Sequence, residues 1–244
     1  MNIGFTTLAL FMEDNSKIIN LAKQHGFEMV EILGESPFYK KDKHEFKDCG
    51  LDIRIHAATV DINIASLNDG IRGESVKQMI DCGNYAEKIN AKTITLHPGI
   101  IGRNEPHLRK MALEIACESI GEIVDTTNVE ISVENMPNRG KFLANTVEEL
   151  EMIQNETGCS LTIDTGHANT CGNLKEMLEL KNISYCHLND NNGIKDQHIT
   201  LGEGTLELDL LKRIDNGIIE LNNFDNILKS QKVIQNLFSN NQNY

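Results

Sequence analysis

No apolar run in the 244 residues approaches the roughly 20 needed to span a bilayer, so no membrane partner is expected. The N-terminal stretch MNIGFTTLALFMED has neither a basic n-region nor a small-residue cleavage site. It does not read as a secretory signal, and the expected compartment is the cytoplasm. None of the six cysteines, Cys49, Cys82, Cys117, Cys159, Cys171 and Cys186, belongs to a C-x-x-C pair. Zinc-ribbon and thioredoxin chemistry therefore find no support, and the thiols are expected as small core or near-surface residues. Positive charge is scarce as well: 23 Lys and Arg face 36 Asp and Glu, a net charge of −13. That balance disfavours tight non-specific binding to a polyanion, while leaving room for a local basic patch. Linkers, composition breaks and low-complexity segments are also missing. One domain is expected over residues 1–238, followed by a disordered tail, SNNQNY, at 239–244.

Hydrophobic residues make up 40% of the chain, which places it among globular proteins. Eight short apolar runs, many β-branched, recur along it: NIGF (2–5), MVEIL (29–33), DIRIH (52–56), TITLH (93–97), EISVE (130–134), LTID (161–164), SYCH (184–187) and GIIEL (217–221). Helical spacing lies between most of them, at 16–24, 75–89 and 108–124, and again beyond residue 221. Thr146 and Glu149 are spaced as a capping box before Leu150 and Ile153. A single short helix at about 206–214 precedes the eighth run. Alternating strands and helices imply a parallel sheet, and eight such units in this length imply an α/β fold of the (β/α)8 TIM-barrel type.

The chemistry gathers where the runs end. His56 closes the third run, His97 the fourth, Glu134 the fifth and Asp164 the sixth, with His167 three residues on. His187 closes the seventh, and the eighth reaches Glu220. A barrel brings these ends to one mouth, where active sites are built. A lone histidine after a strand is more often a turn or core residue than a ligand. Six consecutive strands delivering only acids and imidazoles are harder to attribute to chance. An ion-pair network would include Lys or Arg, whereas these groups repel one another unless a cation sits among them. His and carboxylate without thiolate suit Zn²⁺ or Mn²⁺. The loop HLNDNNGIKDQH (187–198) adds Asp196 and His198, with Asp190 expected as a partner behind a ligand or a loop anchor rather than as a ligand. His25, His44 and His107 read as surface residues. After the second run, PFYKKDKHEFK (37–47) mixes aromatics with Lys40 and Lys41; it reads as a solvated loop or a lid, the alternatives being a surface that stacks bases and neutralises phosphates or a Lys that binds a sugar phosphate. Arg103 and Arg139, after the fourth and fifth runs, are further candidates for binding a substrate phosphate.

Seven stretches carry a family resemblance: IHAATVDINIAS (55–66), TLHPG (95–99), SVEN (132–135), IDTGHA (163–168), HLND (187–190), DQHITLGEG (196–204) and IIEL (218–221). Over nearly the whole chain the sequence resembles the xylose isomerase-like barrels, which include sugar isomerases and epimerases and the endonuclease IV-type apurinic endonucleases. The resemblance implies that Glu134, Asp164, His187 and Glu220 hold the metal shared by the sugar-converting members. It matches His56, His97, His167, Asp196 and His198 to the further ligands of the endonucleases' three-zinc cluster. The chain departs from the endonuclease pattern elsewhere. No Tyr follows His56, and Asn63 stands seven positions on rather than six. Gly166 replaces a Cys, Asn191-Asn192 replace Ser-Lys, and Gln197 replaces an Arg in a shorter loop.

Three functions remain in view. The first is a divalent-metal isomerase or epimerase of a small sugar, sugar phosphate or related hydroxy-carbonyl compound. Glu134 and Glu220 would move the proton through a metal-stabilised enediolate. The alternative is a zinc-dependent apurinic/apyrimidinic phosphodiesterase, with DNA as partner. The third is a non-catalytic metal-binding barrel. One metal site is expected under the first and up to three under the second, and a homo-oligomer is left open.

Overall fold

A computed structural model describes residues 1–35 and 44–239. The eight runs are eight parallel strands that close on themselves in chain order: β1 (Asn2–Thr6), β2 (Met29–Leu33), β3 (Asp52–His56), β4 (Thr93–Leu96), β5 (Glu130–Glu134), β6 (Ser160–Asp164), β7 (Ile183–Leu188) and β8 (Asn216–Ile219). The ring shuts where Gly4 of β1 pairs with Ile218 of β8. Outside it lie α1 (Asn15–Gln24), α2 (Asp69–Lys88), α3 (Pro106–Thr126), α4 (Val147–Thr157), α5 (Thr165–Cys171), α6 (Leu174–Met177) and α7 (Phe224–Ser239). The protein is a single-domain (β/α)8 TIM barrel. No helix among the described residues is long and apolar enough to cross a membrane.

Local chemistry accounts for the differences from expectation. α2 starts six residues ahead of its apolar periodicity because Asn68 caps it, its side chain accepting from the N–H groups of Gly70 and Ile71. Its exposed first turn carries one apolar residue, Ile71, which gives no periodic signal. The capping box at α4 forms by half. Thr146 Oγ1 accepts from Glu149 N at 3.3 Å, but the Glu149 carboxylate turns to Ala144 N and to Arg109 of α3. The helix expected at 206–214 is a 3₁₀ segment, Leu208–Arg213. Within the loop at 37–47, residues 37–43, with Lys40 and Lys41, lie outside the described residues, as do residues 240–244 of the expected tail.

Strand alternation splits the chain into two environments. Outward residues such as Ile55, Ile94, Val133, Ile163 and Cys186 join the apolar core beneath the helices. The inward set is largely polar, unlike the branched aliphatic layers common in such barrels. At the base, Arg54 donates to Thr93 Oγ1 and Ser184 Oγ at 2.8 and 3.1 Å and lies over the Tyr185 ring. One level up, the hydroxyls of Thr95, Ser132 and Thr162 are linked at 2.7 Å, and Thr95 also bonds the Tyr185 hydroxyl. Gly4 leaves room for Met29 and Ile218: a Cβ there would fall 2.5 Å from the Met29 carbonyl and 2.6 Å from Ile218 Cδ1.

The loop after β7 is pinned by Asp190, the loop-anchor role of the two expected for it. Its buried carboxylate accepts from the backbone N–H of Asn191, Gly202, Gly204 and Leu206 at 2.8–3.0 Å. Gly204 must be a glycine for that approach, because a Cβ would lie 2.3 Å from Asp190 Oδ1. Each buried donor stranded without a partner costs about 1–3 kcal/mol. Asp190→Ala is therefore expected to lower unfolding free energy by roughly 3 kcal/mol or more in urea titrations. A loss below about 1 kcal/mol would show that water replaces the carboxylate readily.

Candidate metal centre

The strand ends meet as the alternation requires. Glu134, on β5, lies at the centre. Its Oε2 is 3.2 Å from His56 Nε2 and 3.0 Å from His97 Nε2. Its Oε1 is 3.1 Å from His187 Nδ1 and 3.5 Å from His167 Nδ1. Glu220 approaches His187 Nδ1 from the other side at 3.4 Å. Asp196 lies between His167 Nε2 at 3.3 Å and His198 Nε2 at 3.1 Å. All nine residues singled out as ligands thus converge. The donor atoms of all but Asp196 form overlapping groups that could each hold one cation: His56, His97 and Glu134; Glu134, Asp164, His187 and Glu220; His56, His187 and Glu220; Asp164, His167 and His198. His56, Glu134, Asp164, His187 and Glu220 belong to two groups each.

The imidazoles are oriented by what their other nitrogens bond. A backbone carbonyl only accepts, so Nδ1 carries the proton in His56 (to Ala57 O, 2.8 Å), His167 (to Asn135 O, 2.8 Å) and His198 (to Glu220 O, 3.1 Å). In these three rings Nε2 faces the carboxylates. His187 is reversed: Nε2 meets the carboxylate of Glu31 at 2.9 and 3.0 Å, and Nδ1 faces the cluster.

Local folding sets the acids. Asp164 ends β6 and caps α5 at once, its Oδ1 accepting from His167 N at 2.6 Å. Its Oδ2 accepts from Asn189 Nδ2 at 2.7 Å. Asn189 fills the space beside Gly166, where a Cβ would lie 1.8 Å from Asn189 Oδ1. That contact explains glycine in place of the cysteine of the endonuclease pattern. Asn63 ties the loops after β3 and β4 together, bonding both the N–H and the carbonyl of Ile100 at 3.0 Å.

Charge runs through the cluster. Burial alone would lower the histidine pKa values, but the hydrogen bond to Glu134 and the surrounding acids raise His56 to about 9. Against the same burial, Asp164, Asp196 and Glu134 raise His167 to about 10, and Asp196, Glu220 and Asp164 raise His198 to about 11. His187 is driven well up by Glu31, Glu220 and Glu134. For His97 burial prevails and its pKa falls. Glu134, although desolvated, is held well below the usual carboxylate range by its histidines. Glu220 is pushed up, first by burial and then by Glu134 and Asp164.

A cavity of about 510 Å³ opens over the cluster. Leu33, Ile62, Ile64, Met136 and Phe142 are among its apolar walls, and Arg139 also lines it. Arg103 does not line it; Lys141, which sequence reasoning passed over, does. Glu31 was also passed over. The available signal was an acid at an inward position inside the otherwise apolar MVEIL.

The profile of the xylose isomerase-like TIM barrel family matches residues 19–235. The chain belongs to this family. Within the xylose isomerase-like barrels it is 30% identical to the uncharacterized protein MJ1311 of Methanocaldococcus jannaschii, over 96% of this chain and 88% of that protein. It is 29% identical to a D-tagatose 3-epimerase-like protein of known structure, with a TM-score of 0.87 and coverage of 98% and 97% of the two chains. It is also 28% identical to a probable endonuclease 4 of Thermoplasma volcanium, over 66% of this chain and 61% of that one.

The raised imidazoles fix a pH dependence for the metal-free chain. A histidine whose pKa rises on folding contributes stability that is complete below its unfolded value, about 6.5, and fades as pH passes its folded value. Urea midpoints of the metal-stripped protein are expected to fall from pH 7 to pH 10, as the groups near 9 and 10 begin to lose their protons. A flat or rising midpoint would contradict the charged network.

Proposed function

We propose that the protein is a divalent-metal-dependent isomerase or epimerase of a small sugar, sugar phosphate or related hydroxy-carbonyl compound. The observation that carries this reading is the cavity of about 510 Å³, walled by apolar side chains over converging carboxylates. That volume suits a small molecule. The donor set fits a cation: four acids and five imidazoles converge with no Lys or Arg among them. Glu134, Asp164, His187 and Glu220 would hold it. Such an ion, when bound, supplies Lewis-acid polarisation of a carbonyl oxygen. The chain's own groups do the rest. One carboxylate of the Glu134–Glu220 pair takes the proton from the carbon between the carbonyl and the hydroxyl. The other returns a proton to the opposite face, which inverts that carbon, or to the neighbouring carbon while the hydroxyl proton passes to the former carbonyl oxygen, which moves the carbonyl. Of the pair, Glu220 is the stronger base, raised by burial and by Glu134 and Asp164, while the histidines hold Glu134 low. Arg139 and Lys141 would meet an anionic substituent at the rim, with Lys40 and Lys41 as further candidates.

A specific observation favours a second reading. His167 and His198 bracket Asp196, and with His56 and His97 they could complete up to three cation sites around Glu134. That arrangement suits hydrolysis of a phosphodiester in DNA beside an abasic position, as an endonuclease IV-type enzyme would perform it.

Metal analysis of protein purified without chelator, paired with two assays, separates the readings. The sugar reading expects about one exchangeable Mn²⁺, Co²⁺, Zn²⁺ or Mg²⁺ per chain and no incision of an abasic oligonucleotide. It also expects metal-dependent incorporation of solvent deuterium into at least one member of a ketose and ketose-phosphate panel. Glu134→Gln and Glu220→Gln should each slow that exchange by about 10²-fold or more. About three zinc per chain with incision of the abasic strand would replace it with the second reading.

A further inference from the structure

One buried acid beside the centre has no part in the chemistry above. Glu31 is fully buried at an inward position of β2. It accepts from His187 Nε2, and the Tyr185 hydroxyl donates to it. Tyr185 is fixed in turn by Thr95 and by the Arg54 guanidinium, 4.4 Å from its ring centre. A chain of contacts thus runs from the base of the barrel to a ring at its mouth.

The reversal of His187 needs an explanation. The other three oriented rings lie near loop carbonyls that the sheet does not use. His187 lies deeper, and its Nε2 points across the barrel toward β2, whose backbone is committed to pairing with β1 and β3. Only a side chain can accept a proton there. We propose that Glu31 is a positioning residue. Its carboxylate holds His187 as the Nε2–H tautomer, so that the Nδ1 lone pair is aimed between Glu134 and Glu220 at the cation. This rests on the reading of His187 as a metal ligand. A carboxylate behind a ligating imidazole fixes ring and tautomer and raises its basicity, and losing one typically weakens metal binding by about 10–100-fold. Glu31 belongs to none of the groups that could hold a cation, so it sits behind the ligand rather than beside the ion.

The test is Zn²⁺ affinity of the metal-stripped protein for the first equivalent, by competition with a chromophoric chelator, together with ¹⁵N NMR of the histidine rings in the zinc-loaded form. Glu31→Ala is expected to weaken binding by about 10–100-fold and to abolish the pattern of metal-bound Nδ1 and protonated Nε2 at His187. Glu31→Gln keeps an acceptor of the same shape. It should retain that tautomer and lose less than about tenfold, a rescue that a packing role alone would not produce in the ring signature. If Glu31→Ala does not fold, Glu31→Asp, which withdraws the carboxylate by one methylene, is held to the same expectations. Affinity within about twofold and an intact tautomer, alongside weak binding by His187→Ala, would overturn the positioning role and leave the metal reading standing. Parental affinity in His187→Ala would overturn the metal reading itself.

Discussion

The upper barrel holds Glu31, Glu134, Asp164 and Glu220 within one small volume, the first three buried and the last nearly so. Removing a carboxylate from water costs several kcal/mol even after relaxation, and like charges add to that cost. The rest of the site can be understood as the answer to this constraint. Imidazoles meet the acids from several strands, backbone and Asn donors hold Asp164, and Tyr185 supports Glu31 from below. In the metal-free chain protonated histidines supply the compensating charge. A divalent cation would take over that role and displace those protons, which couples metal affinity to pH.

The polar interior of the barrel serves the same end. Arg54, Thr93, Thr95, Ser132, Thr162 and Tyr185 fill positions where aliphatic layers are common. They give Glu31 a hydrogen-bonded floor. Beneath the helices, Ile55, Val133 and Ile163 supply ordinary apolar burial. The two environments alternate residue by residue along each strand, so a one-residue slip of any strand would turn site residues into the core. Asp190 and Asn63 add rigidity at the rim by bonding loop backbone directly.

Much of this was legible in the sequence, for physical reasons. Each strand ends in a residue unlike those before it, so His56, Glu134, Asp164 and His187 stood out where apolar runs stopped. The barrel followed from counting those runs. Glu31 did not stand out, because attention to strand ends passes over a single acid inside an apolar run; only its inward register marks it. α5 was missed because it is seven residues long and takes its start from Asp164, a side chain already read as a ligand. The start of α2 was hidden by an exposed turn held only by its Asn68 cap. Lys141 was overlooked because nothing in its neighbourhood shows that its loop folds over the mouth.

The family fixes the scaffold, while the reaction depends on whether the convergent side chains hold metal and where. Anomalous diffraction at the manganese edge, from crystals grown with Mn²⁺, addresses this most directly. The account predicts a strong peak bonded by Glu134, Asp164, His187 and Glu220. A fully soaked crystal with no peak among those four residues, and His187 still bridging Glu31 and Glu134, would show an ion-pair network in place of a metal centre.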